Sequence, residues 1–528
     1  MKKLGRIFTV AALLFILVAC GQTASVDVTA EDDKEIIEGG VLTIAYPSEP
    51  DTLDWTSTGA TPTRDIAWHI FEPLIALDQD YQVKPVIAES ITTSEDEKTY
   101  TIKIRENLQF HDNTIVKPED VIASIDRWRK VSSVGKESDK YIDSVVIIDD
   151  ATIEIHLNEV YTAFLSDLAA PKNTLIILPK SIVEAAGEQP LTPDQLVGTG
   201  PYRFDSWNRG SEIILKKFDD YTSHESEAVG GLAGEKTAIL DELKFQIVKD
   251  PQVAINGIKT GIYDYALGIP NDLYPVVEAD PSIDSVSYIN GYSTIISDKS
   301  EAPFDDINVR RALNLALNKE EIAEATYGSQ DFYALDGALF DPQQTKLYSE
   351  IGTDPYFSYD VEEARKLLED SSYDGKPIKI MYSNNTENYK RISQITKQQL
   401  EDIGFKVELV PLEWATYLEN WGDPQNWDLV VVGWSTRFSP NELGMLVNDI
   451  SSSGWYNSEK WQALIQEWAL TSDENERSEI LGEMNETVWT ELPFVKVANE
   501  TRLDIKSEKV HLSETWVGPR FWNSWKEK

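Results

Sequence analysis

One cysteine, Cys20, is all that a chain of 528 residues contains. No intrachain disulfide can form and no cysteine-based zinc site can be assembled, so a fold of this size rests on packing alone. The length is ample for several domains around large cores, which excludes a small stapled scaffold. Hydrophobic residues make up 41% and include 15 Trp, 22 Tyr and 16 Phe, a globular composition rather than a disordered or collagenous one.

The position of Cys20 carries further information. Lys2, Lys3 and Arg6 precede an almost wholly apolar run, residues 7–19, which ends in Leu17-Val18-Ala19-Cys20-Gly21. A helix over that run would span roughly 20 Å, short of the roughly 30 Å hydrocarbon core, so it reads as a secretory signal peptide over 1–19 rather than a membrane span. Small residues before the only cysteine are similar to a bacterial lipobox, in which the thiol is acylated and the cysteine becomes the new N-terminus. Residues 20–37 are polar and acidic without periodicity and read as a flexible tether. No later apolar run approaches 18 residues, so the remainder is expected to be soluble.

Asp and Glu number 90 against 48 Lys and Arg, a formal net charge of −42 that becomes −45 when the signal peptide leaves. Such a surface repels polyanions and argues against nucleic acid or bare anionic lipid as partner. Five scattered histidines, His69, His111, His156, His224 and His511, show no metal-ligand spacing, and no metal or cofactor is expected.

In the body, Val41 to Tyr46 has strand composition and is stopped by Pro47-Ser48-Glu49-Pro50. Thr99 to Arg105 alternates as a half-exposed strand, and Pro118-Glu119-Asp120 opens a helix that turns Val121, Ile122, Ile125 and Trp128 inward. Residues 145–157 form a hairpin around Asp149-Asp150. A helix is expected over 309–325, another after the Asp360 cap with its Glu363, and a third whose face is Ile392, Ile395, Leu400 and Ile403, ended by Gly404. Phe405 to Leu409 alternates as a strand, and residues 428–433 are continuously apolar, as a parallel strand covered on both faces would be. The strand-helix-strand order predicts an α/β fold, and no 20 to 50 residue period suggests a repeat architecture.

Six stretches, taken together, resemble the extracellular solute-binding proteins of family 5, the peptide, oligopeptide and nickel receptors of ATP-driven importers. They are Phe71-Glu72-Pro73-Leu74, Pro85 to Ser90, Thr99 to Arg105, Phe110-His111-Asp112-Asn113 with Pro118 to Val121 and Ser124 to Arg127, Gly198 to Tyr202, and Asn308 to Leu313. Asn113 stands where the family usually has Gly, and Asn tolerates the left-handed turn. The resemblance implies a two-lobed periplasmic-binding-protein-like α/β fold (type II, cluster C) with a third, mainly structural domain inserted in the first lobe. Lobe I maps to 38–75, 192–288 and 497–528, the insertion to 76–191, and lobe II to 289–496. It also implies a monomer outside the cytoplasmic membrane, or periplasmic where an outer membrane exists, held by the lipid on Cys20 and serving importer permease subunits. The cargo would be a peptide or peptide-like solute, with an oligosaccharide or an anionic small metabolite as alternatives. A secreted hydrolase with an acidic dyad is the rival of another class, and a purely structural surface lipoprotein a third.

No nucleophile elbow or phosphate loop is visible: Gly198-Thr199-Gly200 lacks Gly-Lys-Ser/Thr and reads as a turn. His111 beside Asp112 reads likewise as a turn, and Arg310 and Arg311 as structural. The binding site is expected at strand ends, where α/β proteins hold ligands. One end offers Tyr46, Ser48 and Glu49; the other is Trp434-Ser435-Thr436-Arg437-Phe438, with Trp414 and Tyr417 nearby. In the peptide receptors an Asp that holds the ligand's ammonium follows Gly-Trp after two residues. Here Gly433-Trp434 is followed by Ser435, Thr436 and then Arg437, a cation in place of the acid. Arg437 is open to contact with ligand, to an ion pair with a protein acid such as Glu49, or to pointing outward.

Overall fold

The computed structural model describes residues 36–224, 230–512 and 515–528. The signal peptide, Cys20 and nearly all of the tether lie outside the described residues. The first strand, Val41–Tyr46, lies parallel to Glu242–Ile247 on one side and Tyr265–Ala266 on the other. Leu42, Ile44 and Tyr46 enter one core cluster and Ala45 the other, so both faces of the strand are covered.

That strand sits in one half of an eleven-stranded mixed sheet. From one edge the order is Lys406–Leu412, Pro377–Ser383, Leu429–Trp434, Ile283–Ser297, Phe494–Ser507, Tyr265–Ala266, Val41–Tyr46, Glu242–Ile247, Glu212–Lys217 and Tyr202–Asn208, with Tyr333–Ala334 paired beside Phe494–Ser507. Among the described residues the two longest strands, Ile283–Ser297 and Phe494–Ser507, pair antiparallel in the middle of this order. Their register slips between Ile289 and Tyr292 and again between Ser293 and Thr294. A slip of this kind bends a strand locally. Gly291 occupies it with φ +104°, and a Cβ there would collide with the Trp434 carbonyl oxygen.

Strand Leu429–Trp434 has Val430 and Val432 in one core cluster and Leu429 and Val431 in the other, which accounts for its continuous apolar run. It is parallel to Pro377–Ser383 but antiparallel to Ile283–Ser297, so the parallel pairing expected of it holds on one side only. The helix expected over 309–325 is two helices, Ile307–Ala316 and Lys319–Tyr327. Leu317 turns extended, and Asn318 caps the second helix by accepting from Glu321 N, a role that asparagine fills better than a helix interior.

A separate antiparallel sheet is ordered Ala88–Thr93, Thr99–Ile104, Thr152–Leu157 and Ile142–Asp149, with helix Pro118–Val131 packed beside it. Asn113 has φ 66°, the left-handed turn its side chain permits. Buried polar anchors tie this region to the residues around it: Arg127 meets Asp54 at 2.6 Å, and the His111 ring spans the Gly200 carbonyl (2.9 Å) and the Gly198 amide (3.2 Å). Burial lowers the His111 pKa to about 4, so the ring is neutral with its proton on Nε2. A Cβ at Gly198 or Gly200 would strike backbone of residues 69–70, which makes this stretch the tight turn read from the sequence.

Candidate ligand-binding cleft

The core strand Leu429–Trp434 delivers five consecutive residues, 434–438, to one end of the sheet. Trp434 is fixed by its indole N–H donating to Thr294 Oγ1 at 2.9 Å, and the Tyr389 hydroxyl receives the Gly433 amide at 2.8 Å. The Arg437 guanidinium lies 5.3 Å from the centre of the Trp434 ring. Its backbone carbonyl accepts from Gln344 Nε2 at 2.6 Å, which sets the chain direction, while its own Nε is buried without a partner. The hydroxyl of Tyr292, on the neighbouring strand and within reach of the Arg437 charge, is likewise buried and unpartnered. Buried polar atoms are nearly always paired, and this strand end holds two that are not.

A cavity of about 500 Å³ opens beside Arg437, lined by residues from Ser133 to Asn173 and from Arg437 to Ile465. Its polar wall includes Lys172, Asn173, Asp167, Asn441 and Glu442, and Leu443, Leu446, Trp461 and Ile465 supply apolar surface. Lys172 is only 6% exposed, and its ammonium donates to Ser435 Oγ (2.6 Å) and the Thr436 carbonyl (3.1 Å). Burial and the nearby Arg437 charge push this ammonium well below the usual lysine range, while Glu442 pulls it back up. Glu442 accepts from the Phe438 amide at 3.3 Å, and burial raises its pKa against the pull of Lys172 and Arg437. Asp167 accepts from Tyr161 (2.6 Å) and Ser138 (2.7 Å), and burial raises its pKa to about 7. Asn441 reaches across from lobe II to the same Tyr161 oxygen at 3.1 Å.

The other residues expected at the site fall elsewhere. Tyr46 is buried and donates to Asp65 at 2.9 Å, beside Arg64 and Arg502; burial, then the Asp65 charge, raises its pKa. Ser48 is exposed. Glu49 accepts from the Gly210 amide (3.0 Å) and the Trp207 indole (2.8 Å), which hold its carboxyl below the usual range. The pairing of Glu49 with Arg437 is therefore corrected: the hairpin 202–217 consumes this carboxylate. Tyr417 is fully buried, donating to the Val431 carbonyl at 3.1 Å, and Trp414 stacks on it at 5.5 Å with 42% exposure. Phe438 packs against Tyr81 and Trp516 at 6.0 and 5.9 Å.

Sequence reasoning missed Lys172, Glu442, Tyr81 and Trp516. Lys172 had one legible signal, a lone cation in the otherwise apolar or small stretch 168–178. Among the described residues no cluster of three His, Cys, Asp or Glu could hold a metal ion, and no helix is long and apolar enough to cross a membrane.

Residues 82–457 match the profile of the bacterial extracellular solute-binding proteins, family 5. A probable peptide ABC transporter periplasmic-binding protein of Sinorhizobium fredii is 28% identical over 368 residues, 68% of each chain. The glutathione-binding protein GsiB of Escherichia coli is 29% identical over 376 residues, 70% of this chain and 69% of its own. In structure, the periplasmic binding protein DppA of Helicobacter pylori, solved with the peptide STSA, superposes with a TM-score of 0.78 at 22% identity, over 93% of this chain and 99% of its own. These relatives are solute-binding transport proteins rather than enzymes. With the family profile spanning most of the chain and the two-lobed architecture agreeing with it, the protein belongs to the family 5 extracellular solute-binding proteins, the substrate-binding components of ABC importers.

Proposed function

We propose that this chain captures a peptide-like solute bearing a carboxylate between its lobes and hands it to an importer's permease, with a lipid on Cys20 keeping it at the membrane. The lobes of this reading are 38–75, 192–288 and 497–528 for the first, 289–496 for the second, and 76–191 for the insertion. The register slips at 289–294 support a hinge there, since a bent strand pair can flex while the packed halves move as bodies.

The observation that carries the proposal is the unpartnered Arg437 Nε at the end of a core strand. A guanidinium offers a carboxylate two parallel hydrogen bonds, whereas a free amine would bring a like charge into a desolvated cleft. Peptides and glutathione, the solutes named for the relatives, both carry carboxylates. An anionic metabolite that is not a peptide satisfies the same geometry.

Mass spectrometry of the small molecule released when the purified protein is denatured tests this reading. A peptide or peptide-like acid supports it, a non-peptide anion moves the cargo class, and a cationic or uncharged solute overturns it.

A further inference from the structure

Taking this strand end to be the ligand site, we propose that Lys172, carried into the cleft by the insertion, is a second ligand-reading cation that, with Arg437 and Glu442, tunes the site to a singly charged anion of the carboxylate kind.

The Lys172 ammonium has three donors, of which Ser435 Oγ and the Thr436 carbonyl take two. The side chain is almost wholly buried. Arg437 lines the same wall with its Nε unpartnered. A charge balance of the cavity follows from its lining. Lys140 and Glu137 neutralise each other at 2.6 Å, and Asp167 is satisfied by two hydroxyl donors. With Lys172 protonated and Asp167 holding its proton, as burial favours below about pH 7, Lys172 and Arg437 face one carboxylate, Glu442, which leaves a single positive charge in excess. One carboxylate balances that excess. An amine adds a third cation, and a dianion leaves a buried negative charge, so both are disfavoured where water is scarce.

The same arrangement links the ligand to a proton. In the empty cleft burial, Arg437 and the more distant Arg64 disfavour the charged form of Lys172, and Glu442 alone favours it. An anion in the cavity favours the protonated forms of Lys172 and of Asp167, which lines the same cavity, so binding takes up protons and weakens as pH rises.

Calorimetry on the full chain decides the matter with three probe pairs: Ser-Thr-Ser-Ala and its C-terminal amide, glutathione and its diamide, and acetate against acetamide. The variants are Lys172→Met and, with the charge retained, Lys172→Arg. The wild type should prefer acids over amides by about tenfold or more, Lys172→Met should lose that preference, and Lys172→Arg should keep it. Acid binding by the wild type should take up protons, read as heat that varies with the buffer's ionisation enthalpy, and Lys172→Met should reduce that uptake. Acetate discrimination that is lost in Lys172→Met supports the proposal even if no peptide binds, in which case the peptide reading fails alone. An undiminished acid preference in Lys172→Met, or no acid preference in the wild type with any pair, overturns it.

Discussion

The Lys172 ammonium and the Ser435 hydroxyl meet at 2.6 Å although 263 residues separate them in the chain. This bond fastens the segment around Lys172 to the end of the core strand Leu429–Trp434, and that segment forms part of the cavity wall beside Arg437.

Replacing Arg437 tests the anion reading directly. Arg437→Ala should weaken binding of the copurified solute by about 2 to 5 kcal/mol, the usual loss when one partner of a desolvated charged hydrogen bond is removed, and Arg437→Asp should weaken it further. Titration calorimetry measures both, and an Asp variant that binds as well as the parent would falsify the assignment.

Asp167 predicts a pH dependence of stability. Its folded pKa of about 7 lies above the ordinary carboxyl value, so the folded state holds this proton after the unfolded chain has released it. The stability tied to it is complete in acid, declines as pH rises from about 4 and is lost by about pH 7. Asp167→Asn, which can still accept from Tyr161 and Ser138, should flatten that segment of the melting-temperature profile. A variant profile parallel to the wild type between pH 4 and 7 removes Asp167 as the cause.

Gly291 is the test of the bend between the lobes. Gly291→Ala must adopt φ +104° and clear the Trp434 carbonyl, strain on the order of 1–3 kcal/mol or more. The melting temperature should fall by several degrees, and solute affinity should fall with it because Trp434 is displaced. An unchanged melt would show that the backbone relaxes there without cost.

Cys20 tests the anchor. If acyl chains, each CH2 contributing about 0.8 kcal/mol on burial, hold the protein to the membrane, Cys20→Ala should release it to the soluble fraction or leave an uncleaved precursor. Fractionation and gel mobility identical to the parent would rule out lipidation.

The elements that follow from local chemistry were legible in the sequence. Val41–Tyr46 and Leu429–Trp434 show as apolar runs because each is covered on both faces, and Pro118–Val131 and Glu387–Ile403 show through their terminal proline and glycine. The strand end carrying Trp434 to Phe438 was legible too, since residues at the end of a core strand must emerge at the sheet's edge. Their partners were not. Lys172 reaches Ser435, Gln344 reaches Arg437, and Glu49 goes to Trp207 instead of Arg437, contacts that span from 93 to 263 residues. Hydrophobic periodicity reports which face of an element is buried, but not against what. The charge of the cavity beside Arg437 depends on which side chains the fold packs together, and that was decided only by contacts between segments far apart in the chain.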